Sequence, residues 1–387
     1  MSRDLMFQER IRDVVRAAYS AIPVGAGRAV AERFYGDVEL AAVPEAAIDW
    51  ALGVGNPIAH AGLRPGETVL DLGCGGGIDT VLAARQVGAA GSVIGLDLLP
   101  EMHPRARQVI REAGVDAWCD VRTGEMESIP LPDASVDVVI SNGAVNLSPR
   151  KSRTFAEVAR VLRPGGRLCM VDLTVEDELP PDVLGADASW AGCIAGALSQ
   201  RVLAGKLRRA GLTGIEITEM ATFGIRDIAL YPLFDTAVLD LMRRTLDHEH
   251  RQRVAVSVLV RAQATGRRPR RTPLASRRSV TRLQDIPVES VKAPGVTVRR
   301  LKRIEDVDLK TMDIAPGSAT PFHTHVHAHE GLVVTGNGAL RLTDGAVPLR
   351  SGDVFSVAPN RPHAIENPGE ETLRLVCLDC FIDDDAP

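Results

Sequence analysis

The sequence predicts two folds in series: an α/β unit with a mostly parallel sheet covered on both faces, then an all-β barrel. Three observations predict it. Up to Val260, short apolar runs alternate with helix-length segments, the pattern of strands joined by crossover helices. Gly73-Cys74-Gly75-Gly76-Gly77 falls between the first such strand and the first such helix. From about Gly295 onward the apolar runs shorten. Asn337-Gly338, Asp344-Gly345, Ser351-Gly352 and Pro368-Gly369 punctuate them, as tight hairpin turns require.

Taken in order, Thr68–Leu72 is a short apolar run stopped by glycine and reads as a strand. Ile78–Val87 reads as a helix and Ser92–Leu96 as a second strand. Pro100–Ala113 reads as a helix closed by Gly114, the residue best able to turn a helix end left-handed. Val136–Ile140 is a third buried strand, and Phe155–Leu162 another helix. Pro164-Gly165-Gly166 is a turn before the strand Arg167–Val171. Val202–Ala210 continues the alternation, and Val254–Val260 is a late strand. Arg261–Arg278 then holds seven arginines and no acid, with Pro269 and Pro273 inside it. Such a stretch resists compact structure and reads as a solvated linker. It offers no aromatic side chain for stacking on a base. The boundaries drawn this way are 1–262 for the α/β unit, 263–290 for the linker and 291–387 for the β unit.

Bulk properties narrow the partners. A chain of 387 residues exceeds the usual size of one hydrophobic core. A hydrophobic fraction of 45% and a charged fraction of 25% are ordinary for globular proteins. The net charge of −5 gives no electrostatic reason to expect nucleic acid. No uncharged apolar run approaches the ~20 residues that span a bilayer, so no membrane is expected. The start is charged and amphipathic without an apolar core, unlike a secretory signal. Six scattered cysteines suit reduced thiols in the cytoplasm better than a disulfide framework.

The glycine run carries chemistry. Asp71 precedes Gly73, Cys74, Gly75 and Gly77, and Asp97, followed by Leu98, ends the second strand twenty residues past Gly77. That spacing sets a carboxylate beside the ribose of a bound nucleoside. A dinucleotide fingerprint wants glycine where Ile78 stands. It also wants no acid just before the turn, because a carboxylate repels pyrophosphate. Asp71 instead suits a cationic ligand, such as the amino group of S-adenosylmethionine. In folds of this kind the acid after the third strand usually contacts the adenine amino group, which makes Glu125, after Gly124, the candidate, with Met126 packing on the ring. Asn142 ends the next strand at the ligand edge of the sheet.

Residues from roughly Phe34 to Gly214 resemble the arsenite methyltransferases. The resemblance rests on Glu39-Leu40-Ala41-Ala42-Val43-Pro44, Gly55-Asn56-Pro57 and Arg64 through Gly73, and on Asn146-Leu147-Ser148-Pro149, Leu162 through Arg167 and Gly192 through Leu198. It implies a Rossmann-like methyltransferase domain with a seven-stranded sheet. It also implies that Asp71, Gly73, Gly75, Asp97, Glu125 and Asn142 line a cofactor pocket. That family captures trivalent arsenic with clustered thiolates. One of them lies where Val54 stands here and another where Gly143 stands, while Cys193 matches a family thiol. One thiolate is a poor chelate for a soft metalloid. A different small acceptor is therefore expected, with Cys193 the candidate catalytic residue that touches it.

Five of the nine histidines lie between residues 323 and 363. Alternation would put positions 323, 325, 327 and 329 on one face of an extended strand. Four imidazoles on one face are costly to bury without partners, which points to a metal. The segment Gly317–Glu330 resembles the first motif of cupins, and Gly352 through Asn367 the second. The resemblance covers roughly residues 295–380 and implies the ligands His323, His325, His329 and His363. Strand alternation alone leaves His327 and His329 as alternatives. Such a site suits a divalent Zn, Mn, Fe, Co or Ni. Cys377 and Cys380, spaced Cys-x-x-Cys, read as core and edge residues of a strand.

The expected protein is thus a methyltransferase using S-adenosylmethionine on a small-molecule acceptor. A metal-binding cupin is its accessory module and a possible homodimer contact. The alternatives are a bifunctional enzyme with a catalytic metallo-cupin, an oxygenase or isomerase, and a non-catalytic sensor of S-adenosylmethionine and metal.

Overall fold

Five helices precede the first strand: α1 (Arg3–Ser20), α2 (Arg28–Phe34), α3 (Asp37–Ala41), α4 (Glu45–Asp49) and α5 (Ile58–Ala61). The computed structural model describes residues 3–176, 179–265, 282–289, 293–304, 307–324, 328–357 and 361–380. The chain forms two compact units, Met1–Arg271 and Thr272–Pro387. The Arg- and Pro-rich linker lies mostly outside the described residues, as do His325 and His327.

The first unit is built on a seven-stranded sheet. Its strands are β1 (Thr68–Leu72), β2 (Ser92–Asp97), β3 (Cys119–Thr123), β4 (Val136–Asn142), β5 (Leu162–Thr174), β6 (Leu212–Phe223) and β7 (Ala255–Ala264). They are ordered β3-β2-β1-β4-β5-β7-β6. The strands from β3 to β5 pair in parallel, and β7 runs antiparallel to β5 and β6. Crossovers use α6 (Ile78–Val87), α7 (Met102–Glu112) and α8 (Lys151–Val161). The short helices α9 (Pro181–Gly185) and α10 (Asp187–Ala191) then lead to α11 (Gln200–Arg209).

Periodicity explains the packing. In α7 the buried residues are Met102, Ala106, Val109 and Ile110, one stripe at helical spacing. β1 and β4 are largely buried on both faces because helices cover both sides. The strand order reverses between β1 and β4, so the carboxyl ends of these two strands flank a crevice.

Two strands escape a reading of apolar runs. β3 buries only Cys119 and Val121. β6 is an edge strand whose side chains are mostly half-buried or exposed.

Among its described residues, the strands of the second unit pair antiparallel. Its strands are β8 (Val296–Ile304), β9 (Val307–Ile314), β10 (Ala328–Thr335), β11 (Asn337–Leu342), β12 (Gly345–Arg350), β13 (Val354–Val357), β14 (His363–Glu366) and β15 (Leu373–Cys380). They form a five-stranded sheet, β13-β10-β15-β9-β8, and a three-stranded sheet, β12-β11-β14. Ile314, Val333, Leu340, Leu373 and Leu375 belong to the one core of this unit. Among the described residues, no helix is long and apolar enough to cross a membrane.

Candidate active site

A cavity of about 1140 Å³, its mouth included, opens at the carboxyl ends of β1 to β4. The glycine loop forms its floor. Gly73 has φ +83°, and a Cβ there would stand 2.2 Å from Cβ of Ala144, far inside contact distance. Gly75 has φ +48°, and a Cβ there would meet nothing within 4 Å, so the loop leaves open space on its cavity side. Cys74 and Gly75 line the cavity beside Gly73. Gly77 stands behind the wall, where it caps α6 at φ +92° and backs onto Ala106 of α7.

Asp97 reaches this loop from the end of β2. Its Oδ2 accepts the amide of Gly75 at 2.9 Å and its Oδ1 the amide of Leu99 at 2.9 Å. Burial raises its pKa, and the two amide donors pull the other way. Leu98, Glu125 and Met126 continue the cavity wall on the β2 and β3 side. Glu125 accepts Nη2 of Arg12, from α1, at 2.8 Å. Arg12, Val15 and Tyr19 all face the cavity, so α1 lies across it.

The opposite wall belongs to the end of β4 and the segment 50–53. Asn142 accepts the amide of Val54 at 2.8 Å and donates to the carbonyl of Gly55 at 2.8 Å, to Asp79 at 3.0 Å and to the hydroxyl of Tyr35 at 3.0 Å. Asp79, in the first turn of α6, lines the cavity and also accepts the Tyr35 hydroxyl at 2.8 Å. Asp71 lies beneath the loop, where its Oδ2 accepts Thr80 Oγ1 at 2.5 Å. Burial, and then the neighbouring Asp79, raise the Asp71 carboxyl far above its usual range.

Cys193 is buried behind the lining. Its backbone sits at φ +65°, in the left-handed region disfavoured for a side chain with a Cβ. Its thiol donates to the carbonyl oxygen of Gly143 at 3.0 Å. A Cβ on Gly143 would lie 3.5 Å from Val54. Positions 54, 143 and 193, distant in sequence, therefore meet around Gly143. Burial raises the Cys193 thiol well above its usual range, Asp172 adds to this, and Lys151 opposes it.

Lys151 is buried and donates to the carbonyls of Asn146 and Ser148 at 3.1 and 3.0 Å. Burial pulls its pKa down to about 8. Asp172 is buried too, accepts Nδ2 of Asn146 at 2.8 Å, and is pushed up to about 6 by burial.

The site thus gathers Gly73, Cys74, Gly75, Asp97, Leu98, Glu125, Met126 and Asn142 around one cavity, while Asp71, Gly77 and Cys193 stand behind its wall. Sequence reasoning missed Asp79, Tyr35, Tyr19 and Arg12. An acid in a first helical turn reads as a partner of the helix dipole, which masks Asp79. Arg12 and Tyr19 come from a helix that carries no motif, and Tyr35 from the residue just past α2.

In the second unit, His323 pairs with His363 through reciprocal backbone bonds, His323 N to His363 O at 3.0 Å and His363 N to His323 O at 2.9 Å. Their ring centroids lie 4.7 Å apart, and the His329 ring lies 5.7 Å from that of His363. This corrects the expectation of one histidine-bearing strand face. Six residues of strand would hold positions 323 and 329 about 20 Å apart. Instead His323 joins the three-stranded side and His329 lies in β10 of the five-stranded sheet. Both reach His363 because the chain passes from one sheet to the other.

Nδ1 of His323 lies 2.6 Å from the carbonyl of Pro321, and Nδ1 of His363 lies 2.9 Å from that of Arg361. A carbonyl only accepts, so each Nδ1 is the donor, and in a neutral ring the lone pair then lies on Nε2. Among the described residues no group of three or more acids, thiols and imidazoles is arranged to hold a metal ion. His325 lies outside those residues. Cys377 is buried in the core of this unit, and the side chain of Cys380 is outside the described set.

Comparison with known proteins follows the same division. Residues 63–222 match a family model described as a methyltransferase domain, and residues 310–379 one described as a cupin domain. The chain is 45% identical over 179 residues to an arsenite methyltransferase of Halobacterium salinarum, covering 46% of this chain and 45% of that one. It is 34% identical over 179 residues to an arsenite methyltransferase of Aquipseudomonas alcaligenes, covering 43% and 50%. The chain spans about half the length of these curated relatives. An arsenic (III) S-adenosylmethionine methyltransferase structure from Chlamydomonas reinhardtii aligns over 72% of this chain and 80% of its own, at 28% identity and a TM-score of 0.46.

Proposed function

We propose that this chain, which joins a methyltransferase domain similar to arsenite methyltransferases to a C-terminal cupin domain, transfers a methyl group from S-adenosylmethionine to a small-molecule acceptor. One observation carries the reading. The cavity at the sheet reversal is walled by Asp97, Asp79 and Glu125, the last paired with Arg12, with Asp71 behind. That acidic lining suits a ligand with a sulfonium and an ammonium group and opposes a pyrophosphate.

The residues fit that cofactor. Asp97 is the proposed partner of the ribose hydroxyls, and Glu125 of the adenine amino group, with Met126 against the ring. The open side of Gly75 gives the backbone close access to the ligand. When bound, the cofactor supplies a methyl group already activated by positive sulfur. The chain's own task is then positioning and exclusion of water. α1, laid over the cavity through Arg12, Val15 and Tyr19, supports the second of these roles.

At the acceptor end, the Cys193 thiol bonds to the carbonyl of Gly143, which lies beside Val54, and positions 54 and 143 are where the resemblance would place two further thiols. A lone protonated thiol disfavours arsenite and supports a different small nucleophile. Release of labelled methyl groups from S-adenosylmethionine, with arsenite, small thiols or other small nucleophiles as acceptor, tests the proposal. Absence of cofactor binding by folded protein would overturn it.

The cupin is proposed as a metal-binding accessory module, supported by the Nε2 lone pairs of His323 and His363 beside His329. A divalent ion there would polarise an oxygen ligand. A catalytic cupin is the alternative, also supported by this cluster. Elemental analysis of wild-type and His363→Ala protein separates metal binding from its absence. Outward-facing Leu332, Val334, Val354 and Leu378 on the five-stranded sheet support a homodimer through this unit. The free, buried thiols of Cys74, Cys119, Cys169, Cys193 and Cys377 support a cytoplasmic setting.

A further inference from the structure

Glu127 is a buried acid that the cofactor reading leaves unused. It lines the cavity and is 7% exposed. One oxygen, Oε1, accepts the Ser148 hydroxyl at 2.5 Å. Among the described residues nothing bonds to the other oxygen, Oε2, and that atom keeps some accessible surface. The nearby cations are turned elsewhere. Lys151 donates to the carbonyls of Asn146 and Ser148, and Arg153 bonds only to the backbone carbonyl of Glu127. The other acids of the wall are engaged. Asp97 accepts two backbone amides, Asp79 accepts Tyr35 and Asn142, and Glu125 pairs with Arg12. Glu127 is thus the wall carboxylate left with an open oxygen and no bonded cation. An oxygen so placed suits a donor brought in by a ligand.

Ser148 ties this acid to the acceptor end. It belongs to the segment that follows β4, and Gly143, at the start of that segment, holds the Cys193 thiol. Glu127 therefore stands where the wall passes from the proposed adenine contacts, Glu125 and Met126, to the acceptor. The wall is otherwise rich in apolar side chains, among them Val15, Tyr19, Leu52, Leu147 and Pro149.

We propose that Glu127 receives a proton from the methyl acceptor, and that the acceptor is a neutral phenol. The inference rests on the methyl-transfer reading above and deepens it at the acceptor. An anionic acceptor is opposed by the acidic wall. An amine arrives as a cation, and a carboxylate beside it favours that charged form, which has no lone pair to offer. A thiol is a weak hydrogen-bond donor. An aliphatic hydroxyl holds its proton too tightly for a carboxylate to assist. A phenolic hydroxyl donates well and sheds its proton more readily, and its ring suits an apolar wall with few polar groups. As the acceptor oxygen bonds to the methyl carbon, the electron pair of the broken carbon–sulfur bond stays on sulfur. The hydroxyl proton passes to Oε2 of Glu127, and the carboxyl returns it to solvent once the methylated product leaves.

The test is calorimetry on the full chain loaded with S-adenosylhomocysteine. Phenol and 2-naphthol are the probes, each beside its methyl ether, with benzylamine as the cationic control. At least one of the two phenols is expected to bind wild-type protein about tenfold or more tightly than its ether. In Glu127→Gln that gap is expected to shrink to about threefold or less, with S-adenosylhomocysteine held within about twofold of wild type. Methyl transfer to that phenol from labelled S-adenosylmethionine is expected to fall by about a hundredfold or more in the variant. Wild-type protein that binds neither phenol, or binds each no better than its ether, would overturn the proposal, and that arm needs no variant to fold. So would tighter binding of benzylamine than of either phenol, a gap that survives intact in Glu127→Gln, or undiminished methyl transfer. A matching loss of S-adenosylhomocysteine in the variant would make Glu127 a structural residue and overturn it too. Failure of S-adenosylhomocysteine to bind wild-type protein would instead defeat the cofactor reading.

Discussion

The thiol of Cys193 donates to the carbonyl oxygen of Gly143 at 3.0 Å. Gly143 is the meeting point of three positions that the resemblance associates with thiols, yet only one of them carries sulfur here. This makes the acceptor end of the cavity adjustable by single substitutions.

Val54→Cys is expected to place a second thiol beside Cys193 and to strengthen arsenite binding by roughly tenfold or more, since soft centres gain with each thiolate. Calorimetric titration of arsenite reads this, and Cys193→Ser in the same background should cancel the gain. Gly143→Cys is a poorer route. Its backbone is left-handed, at φ +66°, so a Cβ there costs about 1–2 kcal/mol, visible as a lower Tm. An unchanged arsenite affinity in Val54→Cys would mean that positions 54 and 193 do not share a ligand.

Asp97→Ala removes the acceptor of two loop amides, those of Gly75 and Leu99. Cofactor affinity is expected to fall by at least about tenfold, the loss of charge-assisted hydrogen bonds. Asp97→Asn should fall less, because one carbonyl oxygen remains. Normal binding by the alanine variant would refute the pocket assignment.

Arg12→Ala should cost less than about 1 kcal/mol of stability, because its pair with Glu125 is part-exposed. Its effect belongs to α1. With that fastening gone, cofactor association and dissociation should both quicken by about threefold or more. Stopped-flow fluorescence reads this, with Trp50 in the cavity wall as reporter. Unaltered rates would mean that α1 does not control entry.

Asp172 gives the stability a pH signature. Burial raises its folded-state pKa from 3.8 to about 6. The folded chain therefore holds this proton more tightly than the unfolded chain. Its contribution is complete below the unfolded pKa of 3.8 and is lost as pH rises through about 6. Asp71 and Asp79 add slopes of the same sign. Asp172→Asn should be less stable overall, because an amide cannot accept all the donors of Asn146 and Leu173. It should also lose part of the fall in Tm between acid and neutral pH. An identical slope in the variant would show that Asp172 is not the titrating group.

The sequence revealed what is local. Strand β1, the glycine loop and Asp97 lie within thirty residues, and the reading of a nucleoside site rests on that spacing. The network around Asn142 was out of reach. Its partners Tyr35, Val54 and Asp79 come from three separate segments, brought together only by packing. The same holds for Arg12 and Glu125, 113 residues apart. β3 and β6 escaped for a different reason, since strands that bury few side chains lack the apolar run that betrays their neighbours. The histidines were visible as a cluster, but alternation assigned them to one strand. A chain that crosses between sheets brings the rings closer than any single strand allows.

That crossing has a thermodynamic corollary. His323 and His363 are forty residues apart in sequence, and with His329 they tie the two sheets of the C-terminal unit at one spot. An ion gripped there would work as a rivet, because whatever free energy its capture yielded would be added to the cohesion of this unit. Scarcity of the ion would then shorten the lifetime of this half of the chain.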